Sequence, residues 1–261
     1  TNSFPALDYY KKRISRLIPP LFLMVMLTCC VMTLTHSRQM IGIREQILSI
    51  FLGYNNWWQI AQDASYFSRL TGASPFTHLW FLGVEMQFYL IWPLLFYLYK
   101  KIFRLPGRKR ACFFFLIPAF LSLAAMICLY HPGSDPSRVY YGTDTMGFTL
   151  FLGMFLGALR HNYPVLCTPV SRKRQLPVFS GMFGITLLLF LLVKGSNSFL
   201  YLGGMFVISV FFAVMILFTE NQRTLAQELP LASQTALLGK YSYNIYLWHY
   251  PVIVLLLTAF H

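Results

Sequence analysis

The stretch THLWFLGVEMQFYLIWPLLFYLYKK, residues 77–101, decides the fold. Residues 79–99 form an apolar run long enough for a helix to cross the hydrocarbon core of a bilayer. Lys100 and Lys101 close the run with positive charge. Its first half, however, carries His78, Glu85 and Gln87. A carboxylate inside a membrane segment is costly unless it is paired or hydrated, which makes such an acid a functional candidate by default.

The rest of the chain repeats this apolar pattern. Hydrophobic residues make up 57% of the 261 positions and charged residues 11%, too few charges to cover the surface of a large soluble domain. Apolar runs fall at 17–35, 45–61, 79–99, 111–130, 146–160, 176–193, 199–218 and 240–260, separated by short breaks rich in Pro, Gly, Ser or basic residues. The pattern predicts an all-α, polytopic membrane helix bundle forming a single transmembrane domain over 1–261. Internal repeats and linkers are lacking. The five cysteines, Cys29, Cys30, Cys112, Cys128 and Cys167, have no metal-ligand spacing and read as small hydrophobes. No metal site is expected.

The net charge of +13 sits in the loops between runs. It lacks the basic groove with interleaved aromatics that nucleic acid requires, and it suits anionic headgroups at a cytoplasmic membrane face. Lys11, Lys12, Arg13 and Arg16 precede the first run. Lys100, Lys101, Arg104, Arg108, Lys109 and Arg110 follow the third. Arg160, Arg172, Lys173 and Arg174 follow the fifth. The positive-inside rule places all three loops in the cytoplasm. Three runs separate the first two loops, so one of them does not cross. The run at 45–61 is the weakest, with Gly53, Asn55, Asn56, Gln59 and the Trp57–Trp58 pair, and it predicts a re-entrant or interfacial segment. About seven crossings remain. The alternative is that 45–61 spans and one loop departs from the rule.

Four places could carry chemistry. Glu85 shares a helical face with Phe88 and Tyr89, with His78 on the same side, and it lies about two turns deeper than His78 from the outer surface. The competing reading is a structural carboxylate held by an arginine. His249 lies in GKYSYNIYLWHYPVIVLL among several hydrogen-bonding groups, and a satisfied core histidine is its competing reading. In RVYYGTDTMGFTLFLGMFLGAL, Thr143 or Asp144 reads as the N-cap of the next helix. There Gly153 and Gly157 read as a helix-packing pair. Arg13 and Arg16 are either topology anchors or a clamp for phosphate. The chain carries no phosphate-binding Gly loop and no Ser nucleophile elbow.

These segments, taken together, resemble the acyltransferase-3 family of membrane acyltransferases. YYKKRISRLIPPLF resembles the family's basic loop, and HLWFLGVEMQFYLIWPLL resembles its H-x-W-S-L-x-x-E-x-Q-F-Y-L-x-W-P helix. RVYYGTDT resembles the Y-x-x-T-D-T-R segment of bacterial surface-polysaccharide and peptidoglycan O-acetyltransferases, and LGKYSYNIYLWHYPVIV resembles their S-Y-x-x-Y-L-W-H-x-P helix. The four stand in order across residues 9–254.

The resemblance implies an enzyme of the bacterial plasma membrane. It would take an acetyl or other acyl group from cytoplasmic acyl-CoA and deliver it to a hydroxyl of a cell-envelope polysaccharide or peptidoglycan. Acetyl-CoA is then a donor substrate, with no permanently bound cofactor. Glu85, His249 and Asp144 become catalytic-site residues, Arg13 and Arg16 face the CoA phosphates, and His78, Trp80, Gln87, Tyr89, Tyr246 and Trp248 line the substrate path. The expected partners are the bilayer, acyl-CoA and a surface glycan.

Relatives of this type usually begin with two further helices, the first carrying an Arg and a His that serves as the catalytic base, and they continue through further helices and often an external SGNH-type domain. Residues 1–261 alone are therefore expected to be inactive. The family's T-D-T-R reads Thr143-Asp144-Thr145-Met146 here, and its W-S-L reads Trp80-Phe81-Leu82. A glycan or lipid transporter or flippase is the alternative function. It too would use a buried acid, but it predicts inverted repeats and leaves the arginine pair unexplained.

Overall fold

The computed structural model describes residues 6–35, 42–63, 65, 74–102, 109–163, 171–221 and 232–259. Arg104, Arg108 and Cys167, named above, lie outside the described residues. The described elements are helical throughout: α1 (Ala6–Leu34), α2 (Ile43–Phe51), α3 (Asn55–Ala61), α4 (Trp80–Ile102), α5 (Leu116–Leu129), α6 (Ser137–Tyr141), α7 (Thr143–Met146), α8 (Phe148–Asn162), α9 (Arg172–Leu192), α10 (Met205–Asn221) and α11 (Ala232–Ala259). 3-10 turns at Thr77–Leu79 and Lys109–Phe115 lead into α4 and α5, and a π turn at Leu200–Gly204 leads into α10.

Five of these segments are long and apolar enough to cross a membrane: Ala6–Leu34, Thr77–Ile102, Ala111–Leu129, Lys173–Leu192 and Leu200–Glu220. The chain is therefore an all-α, multi-pass membrane protein. Of the other two expected crossings, α8 has 15 residues, about 22 Å at 1.5 Å per residue. α11 has 28 residues but dilutes its apolar content with Lys240, Ser242, Asn244 and His249.

The run at 45–61 breaks in two. α2 has 9 residues and α3 has 7, neither of which reaches across roughly 30 Å of hydrocarbon. The break comes at Gly53, whose φ of 74° suits glycine, and whose missing Cβ leaves room for Met86. The amides that looked out of place in an apolar run are buried: Asn55, Asn56 and Gln59 are at most 2% exposed, and so is the neighbouring Gln46.

The chain packs as two compact units. The first comprises Thr1–Lys101, Tyr141–Thr143 and Leu238–His261. In it, α1 buries Leu17, Leu21, Met24, Val25, Thr28 and Met32, one stripe at helical spacing. Leu21, Met24, Val25 and Met32 of that stripe pack with Ile43, Ile50, Phe76, Leu79, Leu82 and Leu247. The opposite side of α1 leaves Phe22, Leu23, Met26, Leu27 and Val31 exposed, as a lipid-facing surface requires. The second unit comprises Ile102–Tyr140 and Asp144–Leu237. There α8 packs against α5 and α10. α9 exposes Phe183, Leu187, Leu188, Phe190, Leu191 and Leu192, so its apolar residues suit lipid rather than a protein core.

Two expectations on 138–159 are corrected. Neither Thr143 nor Asp144 caps α8, whose N-cap is Gly147 with no side-chain cap. The free N–H of Phe148 instead donates to the Ser122 hydroxyl at 3.0 Å, a cap supplied by another helix. Gly153 and Gly157 do not mediate packing among the described residues. A Cβ on either would meet nothing within 4 Å, because that side of α8 faces outward.

Candidate functional site

Within the first unit, α1, α4 and α11 surround a cavity of about 360 Å³. Arg13, Arg16, Glu85, Tyr89 and Tyr246 all line it, so five of the residues expected from sequence share one space. Ser242 and Tyr243 line it as well, beyond the expected set. Their spacing of four and three residues before Tyr246 puts them on its helical face, a signal present in the sequence.

The polar groups of the cavity are linked. The Tyr89 hydroxyl donates to Oε1 of Glu85, one turn earlier on α4. The Arg13 guanidinium lies 4.8 Å from the centroid of the Tyr89 ring and 5.5 Å from that of Tyr9, cation–π distances. Arg13 is half-buried and Arg16 exposed. Among the described residues, no lysine or arginine forms an ion pair with Glu85. Arg16 also lines a second recess of about 550 Å³ with Asp8, Lys11, Lys12 and Ser15.

Side chains bond backbone carbonyls across all three helices. The Tyr10 hydroxyl donates to the Leu90 carbonyl at 2.9 Å, and the Tyr243 hydroxyl donates to that of Leu17 at 2.9 Å. Each of α1, α4 and α11 contains proline: Pro19 and Pro20, Pro93, and Pro251. Proline removes a helical N–H, and neighbouring side chains re-satisfy backbone near such positions in membrane helices.

The remaining expected residues stand outside the cavity lining. His78 is 5% exposed, with Nε2 3.2 Å from the Leu247 carbonyl. Trp80 is buried edge-on against Tyr141, with ring centroids 5.6 Å apart. Trp248 packs beside the apolar core. His249 is exposed, and its Nδ1 lies 2.7 Å from the Tyr246 carbonyl. A carbonyl only accepts, so Nδ1 donates in this contact.

Gln87 is occupied by protein. Its Nε2 donates to the Gly53 carbonyl at 2.8 Å and to Oδ1 of Asn56 at 2.9 Å. Its Oε1 accepts from the Thr143 hydroxyl at 2.6 Å and from Nε1 of Trp57 at 3.3 Å. An amide has two donors and two acceptor sites, so none is left for a ligand. Asp144 falls in the second unit. It is held there by Arg138 through two bonds, at 2.9 and 3.2 Å.

By sequence, the chain is similar to known O-acetyltransferases. The chain is 35% identical over 251 residues to the putative peptidoglycan O-acetyltransferase YrhL of Bacillus subtilis strain 168, covering 95% of this chain and 39% of the relative. It is 33% identical over 253 residues to the peptidoglycan O-acetyltransferase OatA of Listeria monocytogenes, covering 95% and 40%. It is 30% identical over 262 residues to the O-acetyltransferase OatA of Staphylococcus aureus strain NCTC 8325, covering 97% and 42%. The chain thus spans about two fifths of the length of these curated relatives. No solved structure matches it. The acyltransferase domain family matches residues 1–261 from end to end, and the chain belongs to that family.

Proposed function

We propose that the chain is the membrane part of an O-acetyltransferase, which moves an acetyl group from cytoplasmic acyl-CoA to a hydroxyl of peptidoglycan outside the plasma membrane. The observation that carries this reading is the cavity where Arg13, Arg16 and Glu85 meet inside an apolar bundle. Family membership supports acyl transfer, and the names of the relatives support a peptidoglycan acceptor.

Acetyl transfer breaks the thioester C–S bond and forms an ester C–O bond. The acceptor's hydroxyl proton ends on the CoA thiol. Arg13 and Arg16 supply the cations that hold the donor's phosphates, arginine being suited to bidentate phosphate contacts. Glu85, steadied by Tyr89, orients the groups that exchange this proton. Placing Lys11, Lys12, Arg13 and Arg16 at the cytoplasmic end of α1 puts the cations where acyl-CoA is found.

The test uses full-length protein in proteoliposomes, supplied with labelled acetyl-CoA and a muramic-acid glycan. Mass spectrometry is expected to find ester-linked label on the glycan. Label released only as free acetate, or never leaving CoA, would contradict the proposal.

A further inference from the structure

We propose that His78 is a positioning residue: it bonds the Leu247 carbonyl that Pro251 leaves without a helical partner, and so fixes the turn that carries Tyr246 and His249. Its catalytic consequence rests on the acyl-transfer reading above.

The reasoning starts from backbone chemistry. α11 runs unbroken through Pro251. In an α-helix the carbonyl of residue i accepts from the N–H of residue i+4, and proline has no N–H to give. The carbonyl left over is that of Leu247. Leu247 is fully buried, so water does not replace the lost donor, and an unsatisfied carbonyl in a membrane is costly. His78 enters from the turn before α4 and sets Nε2 3.2 Å from this oxygen. Because the oxygen only accepts, Nε2 must hold the proton.

The contact is reciprocal. The Tyr246 hydroxyl donates back to the His78 carbonyl at 2.8 Å. Tyr250 stacks on the His78 ring at 5.1 Å with a 29° interplanar angle, and His249 meets it edge-on at 5.2 Å. His78 itself does not line the 360 Å³ cavity, whereas Tyr246 does. The clamp therefore acts through its neighbours. It aims Tyr246 into the cavity with Glu85, and it holds the ring of His249, whose Nδ1 is tied to the Tyr246 carbonyl.

The test is a double-mutant cycle in the full-length protein, between His78→Leu and Pro251→Ala, with His78→Gln as the conservative variant. Alanine at 251 returns an N–H to the Leu247 carbonyl and makes the imidazole donor redundant. His78→Leu is expected to lower kcat about tenfold, equivalent to one weakened hydrogen bond in the transition state, with KM for acetyl-CoA unchanged. It should also lower the thermal unfolding midpoint in detergent. Adding Pro251→Ala should recover both, and His78→Gln should keep most of the activity, since its amide also donates.

A double variant no better than His78→Leu in both readouts overturns the proposal, because a substrate-binding or acid–base histidine would not be rescued by a distant backbone N–H. Should His78→Leu fail to fold, folding of the double variant supports the clamp and failure of both overturns it. Wild-type protein that transfers no acetyl group defeats the acyl-transfer reading. The unfolding midpoints then still decide the clamp, recovery supporting it and no recovery overturning it.

Discussion

Nε2 of Gln87 donates to Oδ1 of Asn56 at 2.9 Å, joining α4 to α3. Through Thr143 and Gly53 the same two amides gather the broken segment 45–61, the long helix α4 and the 141–143 segment into one half-buried network. Gln87→Leu fills similar space but strands donors and acceptors on all sides. It is expected to cost about 1–3 kcal/mol of stability, the range for buried polar groups left unpaired. The thermal unfolding midpoint in detergent, compared with wild type, measures it.

Gly83 makes that junction possible. A Cβ there would stand 3.0 Å from Oδ1 of Asn56 and 3.2 Å from the backbone nitrogen of Asn55. The side chain of Asn56 is tied to Tyr141, Thr143 and Gln87 and cannot move aside freely. Gly83→Ala is expected to destabilise by about 1–3 kcal/mol, as overpacking does. Gly153→Ala is expected to be neutral, since its Cβ meets nothing. Unfolding midpoints of the two variants, measured side by side, check the contrast.

Tyr89 has two separable roles. Its hydroxyl restrains Glu85, and its ring lies under Arg13. Tyr89→Phe keeps the ring and removes the hydroxyl, so kcat is expected to fall about tenfold while KM for acetyl-CoA stays near wild type. Tyr89→Leu removes both and should raise KM as well. Steady-state kinetics on the full-length protein distinguish the two.

Asp144 and Arg138 form an exposed pair. Exposed ion pairs contribute about 0–1 kcal/mol, so Asp144→Asn should leave the unfolding midpoint almost unchanged. The unfolding midpoint of Asp144→Asn in detergent, measured beside wild type, checks this.

Glu85 is legible in the sequence because a lone acid in an apolar run is costly to keep, and the structure brings it into one cavity with the arginines of the basic loop. The helices are legible for a related reason: runs of that length and apolarity have few other solutions. The partners of Gln87 are not legible, since its bonds to Asn56 and Thr143 span 31 and 56 positions and depend on how the short helices fold back. The cap of α8 escapes a local reading because Ser122 supplies from another helix what Thr143 or Asp144 would have supplied nearby. The Gly153–Gly157 spacing marks a face that can pack, and nothing in the spacing tells whether a neighbour is there. His78 shows itself as a polar residue beside an apolar run, but its link to Pro251 requires knowing that α11 lies against it.

The central claim is that Glu85 serves acyl transfer in the cavity lined by Arg13 and Arg16. Its most direct test is turnover of labelled acetyl-CoA by full-length Glu85→Gln protein, beside wild type, in proteoliposomes with a muramic-acid glycan. The account predicts a loss of about a hundredfold or more in kcat, within the range for removing a positioned acid–base group, with the unfolding midpoint preserved. Wild-type turnover in Glu85→Gln would contradict it.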